Sequence, residues 1–329
     1  MLTYIVRRIL YMVPTVFFIS IVAFVIINLP PGDYLTAMVA AQAEEGDAAA
    51  AQAQAERLRE RYGLGENVIV QYTRWITGII TRGDFGQSFE WRRPVGDLIW
   101  SRLALTVVLS LATTLFIWLV AIPIGIYSAV KQYSIGDYAF TTVGFLGLAI
   151  PNFLLALIFM YIGFSVFGQN VGGLYSPEYI GEPWTLDKIL NMLTYLWIPV
   201  IVLGTAGTAG LIRTLRANLL DELRKPYVVT ARSKGLSERR VIMKYPVRIA
   251  LNFFVSAQSN ILVALVSGAT IVSVVLNLPT TGPLLLGALM AQDMYLAGSF
   301  ILMLSTLNVI STLISDIVLA WLDPRIRYS

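Results

Sequence analysis

The stretch LALTVVLSLATTLFIWLVAIPIGIYSAV, Leu103–Val130, contains no aspartate, glutamate, lysine or arginine. A helix needs about 20 mostly apolar residues to cross the ~30 Å hydrocarbon core of a bilayer. This stretch exceeds that length. Five others pass the same test: Ile9–Leu29, Tyr138–Phe167, Ile189–Ile212, Ile249–Leu278 and Met294–Ile314. The pattern predicts an all-α integral membrane protein with six transmembrane helices. Pro14, Pro123, Pro151 and Pro199 fall inside these runs, and kinks are expected there, because neighbouring helices can re-satisfy a freed carbonyl.

Composition agrees. Of 329 residues, 57% are hydrophobic and 13% charged, against about 25% charged in soluble domains. There is no cysteine, which excludes disulfides and thiolate metal sites, and no histidine, the commonest general base and metal ligand. The uncharged cores hold no aspartate, glutamate, lysine, arginine, histidine or cysteine, so neither catalysis nor a metal site is expected. Asp316 lies just past the last core, where an interfacial ion pair with Arg325 or Arg327 is expected. A cleaved signal peptide does not fit the start: the first run is too long, and NLPPGDYL follows it instead of a small-residue cleavage site.

Orientation follows from lysine and arginine in the connections. Arg7 and Arg8 precede the first run, Lys131 follows the second, and Arg325 and Arg327 lie in the tail. The segment Arg213–Arg248 carries ten basic residues against Asp221, Glu222 and Glu238. The third connection has only Lys188 among acids, and the fifth has Asp293 alone. Both termini are therefore expected in the cytoplasm. The chain divides into an N-terminal transmembrane helix (1–30), an external helical segment (31–102) and a five-helix core (103–329) with a cytoplasmic loop at 213–248. In the external segment, Ala48–Leu64 is rich in helix formers, with Glu56 and Glu60 beside Arg57 and Arg61. Val68–Gly83 is amphipathic and offers Trp75 and Ile79 to a membrane or a neighbour.

The loop YVVTARSKGLSERRVIMKYPVR, Tyr227–Arg248, has internal order. Pro226 suits a helix start, Gly235 a stop, and Ser237 can cap a second short helix over ERRVIMKY. A positive-inside anchor, a surface for anionic lipid and a docking elbow for a soluble partner all remain open on these residues alone.

VTARSKG, Val229–Gly235, resembles the loop signature of permease subunits of bacterial ABC importers, in the dipeptide/oligopeptide branch. Thr230, Ala231, Arg232, Lys234 and Gly235 match the branch form, while Val229 and Ser233 depart from it. The likeness runs along the chain. LPPGD (Leu29–Asp33), VQYTRWITGIITRGDFGQS, RRPVGDLIWSRLALT and the ending LDPRIRYS are similar to the branch's blocks, in order. The resemblance implies a second homologous permease, two cytoplasmic ATPase subunits and an external solute-binding protein, in a bacterial inner membrane. It implies that the loop is a coupling helix seated in an ATPase groove, with Tyr227, Thr230, Ala231, Arg232, Lys234, Gly235, Leu236 and Arg239 at the contact. No G-x-x-x-x-G-K-[ST] loop is present, so ATP and magnesium belong to the partners and no cofactor to this chain.

In the fifth run, Asn252, Ser256, Ser259, Ser267 and Thr270 recur at steps near three and four, with Val263 in the gap, and share one helix face. Such a stripe either faces a wet cavity or lets another helix pack closely. The functional expectation is a translocation path completed by Thr106, Ser110, Thr113 and Asn152. In NLPTTGPLLLGALMAQDMY (Asn277–Tyr295), Pro279, Gly282 and Pro283 break the helix. Thr280, Thr281 and Pro283 depart from the branch. A short re-entrant helix forming an outer gate is expected; a tight loop with an interfacial helix is the alternative. The branch imports dipeptides, longer peptides, nickel complexes or oligosaccharides. Peptide is the first expectation, with oligosaccharide or a nickel complex as alternatives. An ion-coupled secondary carrier would need an ionisable group in the membrane or matching interrupted halves, and neither is visible.

Overall fold

The computed structural model describes residues 2–28, 35–36, 39–40, 48–62, 65–168, 172–251 and 269–322. Helix α1 is Leu2–Asn28, α2 Ala48–Tyr62, α3 Val68–Arg82, α4 Val95–Val130, α5 Ile135–Ala149 and α6 Asn152–Phe167. After a 3-10 turn at Pro177–Tyr179 come α7 Leu186–Leu223, α8 Pro226–Ser233, α9 Glu238–Lys244, α10 Thr281–Met290 and α11 Met294–Leu322. Residues 246–251 and 269–275 are also helical.

The all-α class holds, but six crossings do not. Among the described residues four helices are long and apolar enough to span a bilayer: Ile5–Ile26, Val95–Val130, Leu186–Leu223 and Met294–Ile314. A fifth arises only if α5 and α6 count as one broken span, for they meet at 100°. The cause lies at Ile150–Pro151. Proline disfavours the α conformation in the residue before it, and Ile150 is extended, at φ −83° and ψ 121°. Pro151 has no amide hydrogen to continue the ladder, so the uncharged run Tyr138–Phe167 becomes two short helices rather than one kinked rod. Most of the expected fifth run, Ile249–Leu278, falls at 252–268, outside the described residues. So do the LPPGD block at 29–33 and the tail at 323–329 that carries Arg325 and Arg327.

All four long helices outrun the uncharged stretches that announced them, α1 at its start and α11 at its end among them. α7 has 38 residues and continues past Ile212 through Arg213, Arg216, Asp221 and Glu222. α4 has 36 residues and begins before Leu103, at Val95. Charge marks where lipid ends, whereas a helix stops only where its caps or breakers lie.

The chain divides into two compact units. One is built from Leu105–Gly282 with the end of α11, the other from Leu2–Ala104 with Pro283–Ile310. In the first, α4 and α7 pack along a seam of small residues. An added Cβ on Gly125 would sit 2.8 Å from Leu215, and one on Gly207 2.8 Å from Ile117. Each is a large side chain seated on a glycine of the facing helix, the small-residue packing that favours helix association where lipid removes the hydrophobic incentive. Leu109, Leu203, Val272 and Leu276 form one core of this unit, and Ile117, Leu211, Leu215 and Val247 another. Lys188 is not the free loop charge its sequence position suggests. Its Nζ is buried, donates to the Glu182 carbonyl at 2.6 Å, and lies 4.7 Å and 4.9 Å from the ring centres of Tyr175 and Trp184.

In the second unit, Val95, Ile99, Leu284, Leu296 and Phe300 make one core, and Phe24, Trp75 and Leu302 another. α3 is capped by the Asn67 side chain at the Ile69 amide and ends on Gly83 at φ 64°. The Trp75 ring is buried, and its Nε1 donates to Ser299 Oγ at 3.3 Å. Of the two destinations expected for Trp75, a neighbouring helix is therefore the one it takes.

Candidate functional site

The basic elbow is a small packed body hung on α7. Pro226 occupies the first turn of α8, where its missing amide hydrogen leaves no bond unmade. Gly235 takes φ +74°, a left-handed conformation that costs glycine nothing, and the chain reverses there into α9. Ser237 stands at the N-cap of α9 without a side-chain cap bond. Val228, Ala231 and Val241 are buried together, with Tyr227, Leu236 and Tyr245 packed around them. The Tyr227 hydroxyl donates to Glu222 Oε2 at 2.6 Å, tying α8 to the last turn of α7. Burial, then that carboxylate, pushes the Tyr227 pKa well up, so the bond persists at any physiological pH.

Across the turn, Arg232 donates from Nε and Nη2 to the two oxygens of Glu238, at 3.0 and 2.6 Å. Those hydrogen bonds hold the Glu238 carboxyl below its ordinary range. The pair is solvent-exposed and contributes at most about 1 kcal/mol. Of the residues expected at the contact, Tyr227, Ala231 and Leu236 thus turn toward the elbow's own core. Thr230, Arg232, Lys234, Gly235 and Arg239 lie on its outer surface.

The expected path and gate residues meet in part. Thr106 and Ser110 on α4 are buried. Thr106 Oγ1 accepts from the Thr281 amide at 3.0 Å and lies 3.1 Å from the Thr281 hydroxyl. Gly282 is pressed against Thr270: an added Cβ would lie 2.7 Å from Thr270 Oγ1 and 2.9 Å from its Cα. Thr106, Ser110, Ser273, Thr280 and Gly282 line a cavity of about 10 Å³, room for one water molecule at most. The Ser273 and Thr280 hydroxyls are buried there with no partner among the described residues, as is Thr113 Oγ1 elsewhere on α4. This arrangement is closed and polar, and far too small for a solute. Pro279 precedes the ten-residue apolar helix α10, with Gly282 and Pro283 inside its first turn. Asn152 opens α6 and is partly exposed. Asn252, Ser256, Ser259 and Ser267 lie outside the described residues.

Two polar constructions escaped the sequence reading. Asp137, buried in the first turn of α5, accepts Arg216 Nε at 3.0 Å and Nη2 at 2.9 Å, and also the Tyr133 amide at 2.9 Å. Only the pattern Ser134-x-x-Asp137 hinted that Asp137 belonged to a helix start; Ser134 Oγ accepts from the Asp137 amide. The second construction is centred on Asp293. Its Oδ2 accepts from Ser88 Oγ at 2.6 Å and from the Glu90 amide at 3.1 Å, and its Oδ1 from the Leu296 amide at 3.2 Å. Burial outweighs these donors and raises the Asp293 pKa. Among the described residues no group of acids, histidines or cysteines could hold a metal.

Comparison with known proteins covers the chain from end to end. Residues 121–328 match the family described as binding-protein-dependent transport system inner membrane component. Residues 1–112 match that system's N-terminal membrane component family. The chain is 36% identical to the oligopeptide transport system permease protein AppB of Bacillus subtilis (strain 168), over 332 residues and all of both chains. It is 32% identical to the dipeptide transport system permease protein DppB of Alkalihalophilus pseudofirmus, again over all of both chains. To the glutathione transport system permease protein GsiC of Escherichia coli (strain K12) it is 30% identical, over all of both chains.

Proposed function

This chain belongs to the binding-protein-dependent transport system inner membrane components and is a permease subunit, not an enzyme; from that premise we propose how it works and what it carries. The solute is a short peptide, the class named for the relatives that share its full length. An external binding protein delivers it. A second, homologous permease completes the pathway, and two ATPase subunits drive it from the cytoplasm. The elbow faces those ATPases, since the ten basic residues of Arg213–Arg248 retain that segment on the cytoplasmic side.

One observation carries the mechanism. The elbow is packed around its own core and bonded to the end of α7 through Tyr227 and Glu222. It therefore moves as one piece with that helix. ATP binding closes the ATPases on the elbow, α7 tilts, and the pathway opens outward to take peptide; hydrolysis returns it inward. Thr230, Arg232, Lys234 and Arg239 supply the outer contact. The Thr106, Ser110, Thr270 and Gly282 contact forms part of a closed outer gate around Pro279 and Pro283. From the spacing in the sequence we assign Asn252, Ser256, Ser259 and Ser267 to the pathway.

Two variants in the assembled transporter test the lever. Gly235→Pro cannot adopt φ +74°, and Arg232→Glu puts like charge against Glu238. Each is expected to abolish ATP-dependent peptide uptake while the chain still inserts in the membrane. Normal uptake in both would overturn the lever. Uptake in proteoliposomes of the purified chain alone, without ATP, would overturn the division of labour.

A further inference from the structure

We propose that the groove between α5 and the elbow end of α7 is a binding site for an anionic phospholipid. The groove is a cavity of about 240 Å³ lined by Tyr133, Tyr138, Phe140, Phe145 and Leu148 on one side and Arg213 on the other. Asp137 lies in its wall, but Arg216 neutralises it through two hydrogen bonds. Arg213 is exposed and makes no ion pair or side-chain hydrogen bond among the described residues, and neither does Lys131, two residues before Tyr133. The mouth of the groove therefore carries uncompensated positive charge.

Arg213 is the first charged residue after the uncharged run Ile189–Ile212, so it marks the level where hydrocarbon gives way to headgroups. Tyr133 and Tyr138 stand beside it, 68% and 60% exposed, the tyrosine placement typical of a bilayer interface. From that level the wall of Phe140, Phe145 and Leu148 leads into the uncharged half of α5, and all three remain exposed. From Ile135 to Leu148 the helix climbs about 20 Å, comparable to one leaflet's hydrocarbon. A cation and two hydroxyls above an exposed apolar wall match a phosphate above an acyl chain. They do not match a protein surface, which would have to bring its own acid to this depth. Placing the site in the cytoplasmic leaflet rests on the orientation proposed for the elbow.

The test uses the assembled transporter in mild detergent, with lipid retained on this chain counted by native mass spectrometry. Wild type is expected to keep phosphatidylglycerol in preference to phosphatidylcholine. Arg213→Ala should lose phosphatidylglycerol about fivefold, the effect of one basic residue at a membrane surface, while Arg213→Lys keeps it. Thr141→Trp, which fills the groove without touching the cation, should exclude lipid as well. Equal phosphatidylglycerol retention in wild type, Arg213→Ala and Thr141→Trp would overturn the site. So would displacement of the lipid by inorganic phosphate, or a cross-link from Thr141→Cys into the second permease. Lipid is counted by mass and not by uptake, so failure of the lever leaves this reading standing, and the reverse also holds.

Discussion

Replacing Arg216 by leucine strands Asp137. The Asp137 side chain is 3% exposed and that of Arg216 26%, and the pair is bidentate at 3.0 and 2.9 Å. Removing one member of a buried pair costs about 3–5 kcal/mol, because the survivor keeps its desolvation without its partner. Partial exposure of Arg216 and the remaining Tyr133 amide bond place the expected cost at the lower end, about 3 kcal/mol. An opening equilibrium shifted by that amount changes about 100-fold. The Tyr133 amide reports it directly, since it donates to Asp137 Oδ2 at 2.9 Å. Hydrogen exchange at that amide, measured in the assembled transporter in nanodiscs, is expected to accelerate about 100-fold in Arg216→Leu. Asp137→Asn combined with Arg216→Leu should recover most of the protection, because asparagine still accepts from Tyr133 and no charge is left unpaired. An acceleration below about fivefold, or a double variant whose losses simply add, would refute the view that these two charges work as one clamp.

Asp293 gives a pH prediction whose sign follows from burial. Its folded pKa lies above the ordinary value of about 3.9, so the folded state holds a proton the unfolded chain has lost, and stability falls as pH rises from about 4 through the folded pKa. Melting curves of the transporter across that window should slope downward in wild type and flatten in Asp293→Asn. Asp293→Ala should cost about 1–3 kcal/mol near pH 4 by orphaning Ser88 Oγ and the Glu90 amide, and less as pH rises. A flat wild-type curve refutes this. At the gate, Gly282→Ala drives a methyl against the Thr270 backbone, so about 1–3 kcal/mol of strain should displace the start of α10. Faster labelling of a Thr281→Cys reporter by a membrane-impermeant thiol reagent checks it, and unchanged labelling rules it out.

The sequence announced what depends on nearest neighbours and missed what depends on distance. Uncharged length located α1, α4, α7 and α11, and proline and glycine chemistry located both ends of α8. The same criterion overcounted crossings, because apolar composition is indifferent to a 100° bend and Tyr138–Phe167 reads as uncharged either way. Pro151 was visible as a kink, yet whether a proline bends a helix or breaks it depends on the packing around it. The buried polar contacts lay further out of reach. Asp137 and Arg216 stand 79 residues apart, and Ser88 and Asp293 205 apart. In a single sequence nothing distinguishes such residues from ordinary interfacial charges. Arg216 was one of ten basic residues in its segment, and only its partner sets it apart. Thr106, Thr270 and Gly282 stand out in the sequence only as small or helix-breaking residues; their convergence on one contact is tertiary information.

The clamp and the elbow share one helix, and that constrains how force can travel. α7 runs without a break from Leu186 to Leu223, and Glu222 in its last turn holds Tyr227 of the elbow. From Ile212, where the uncharged run ends, to Leu223 the helix extends about 16 Å beyond lipid. Arg216 lies on that projecting stretch and grips α5 at its first turn. Any displacement of the elbow therefore reaches α5 through Arg216 and Asp137 before it enters the apolar part of α7. Leu215 of α7 rests on Gly125 of α4 and Ile117 of α4 on Gly207 of α7, so a shift of α7 also presses on α4. An elbow cut loose at Tyr227 should leave the clamp closed, whereas a broken clamp should free the first turn of α5 from α7, the two helices still meeting further along at Gly144 and Gly147. Tyr227→Phe and Arg216→Leu would then both lose peptide uptake, but only Arg216→Leu would expose the Tyr133 amide. Identical exchange in the two variants would mean that the elbow and the clamp are not linked in series along α7.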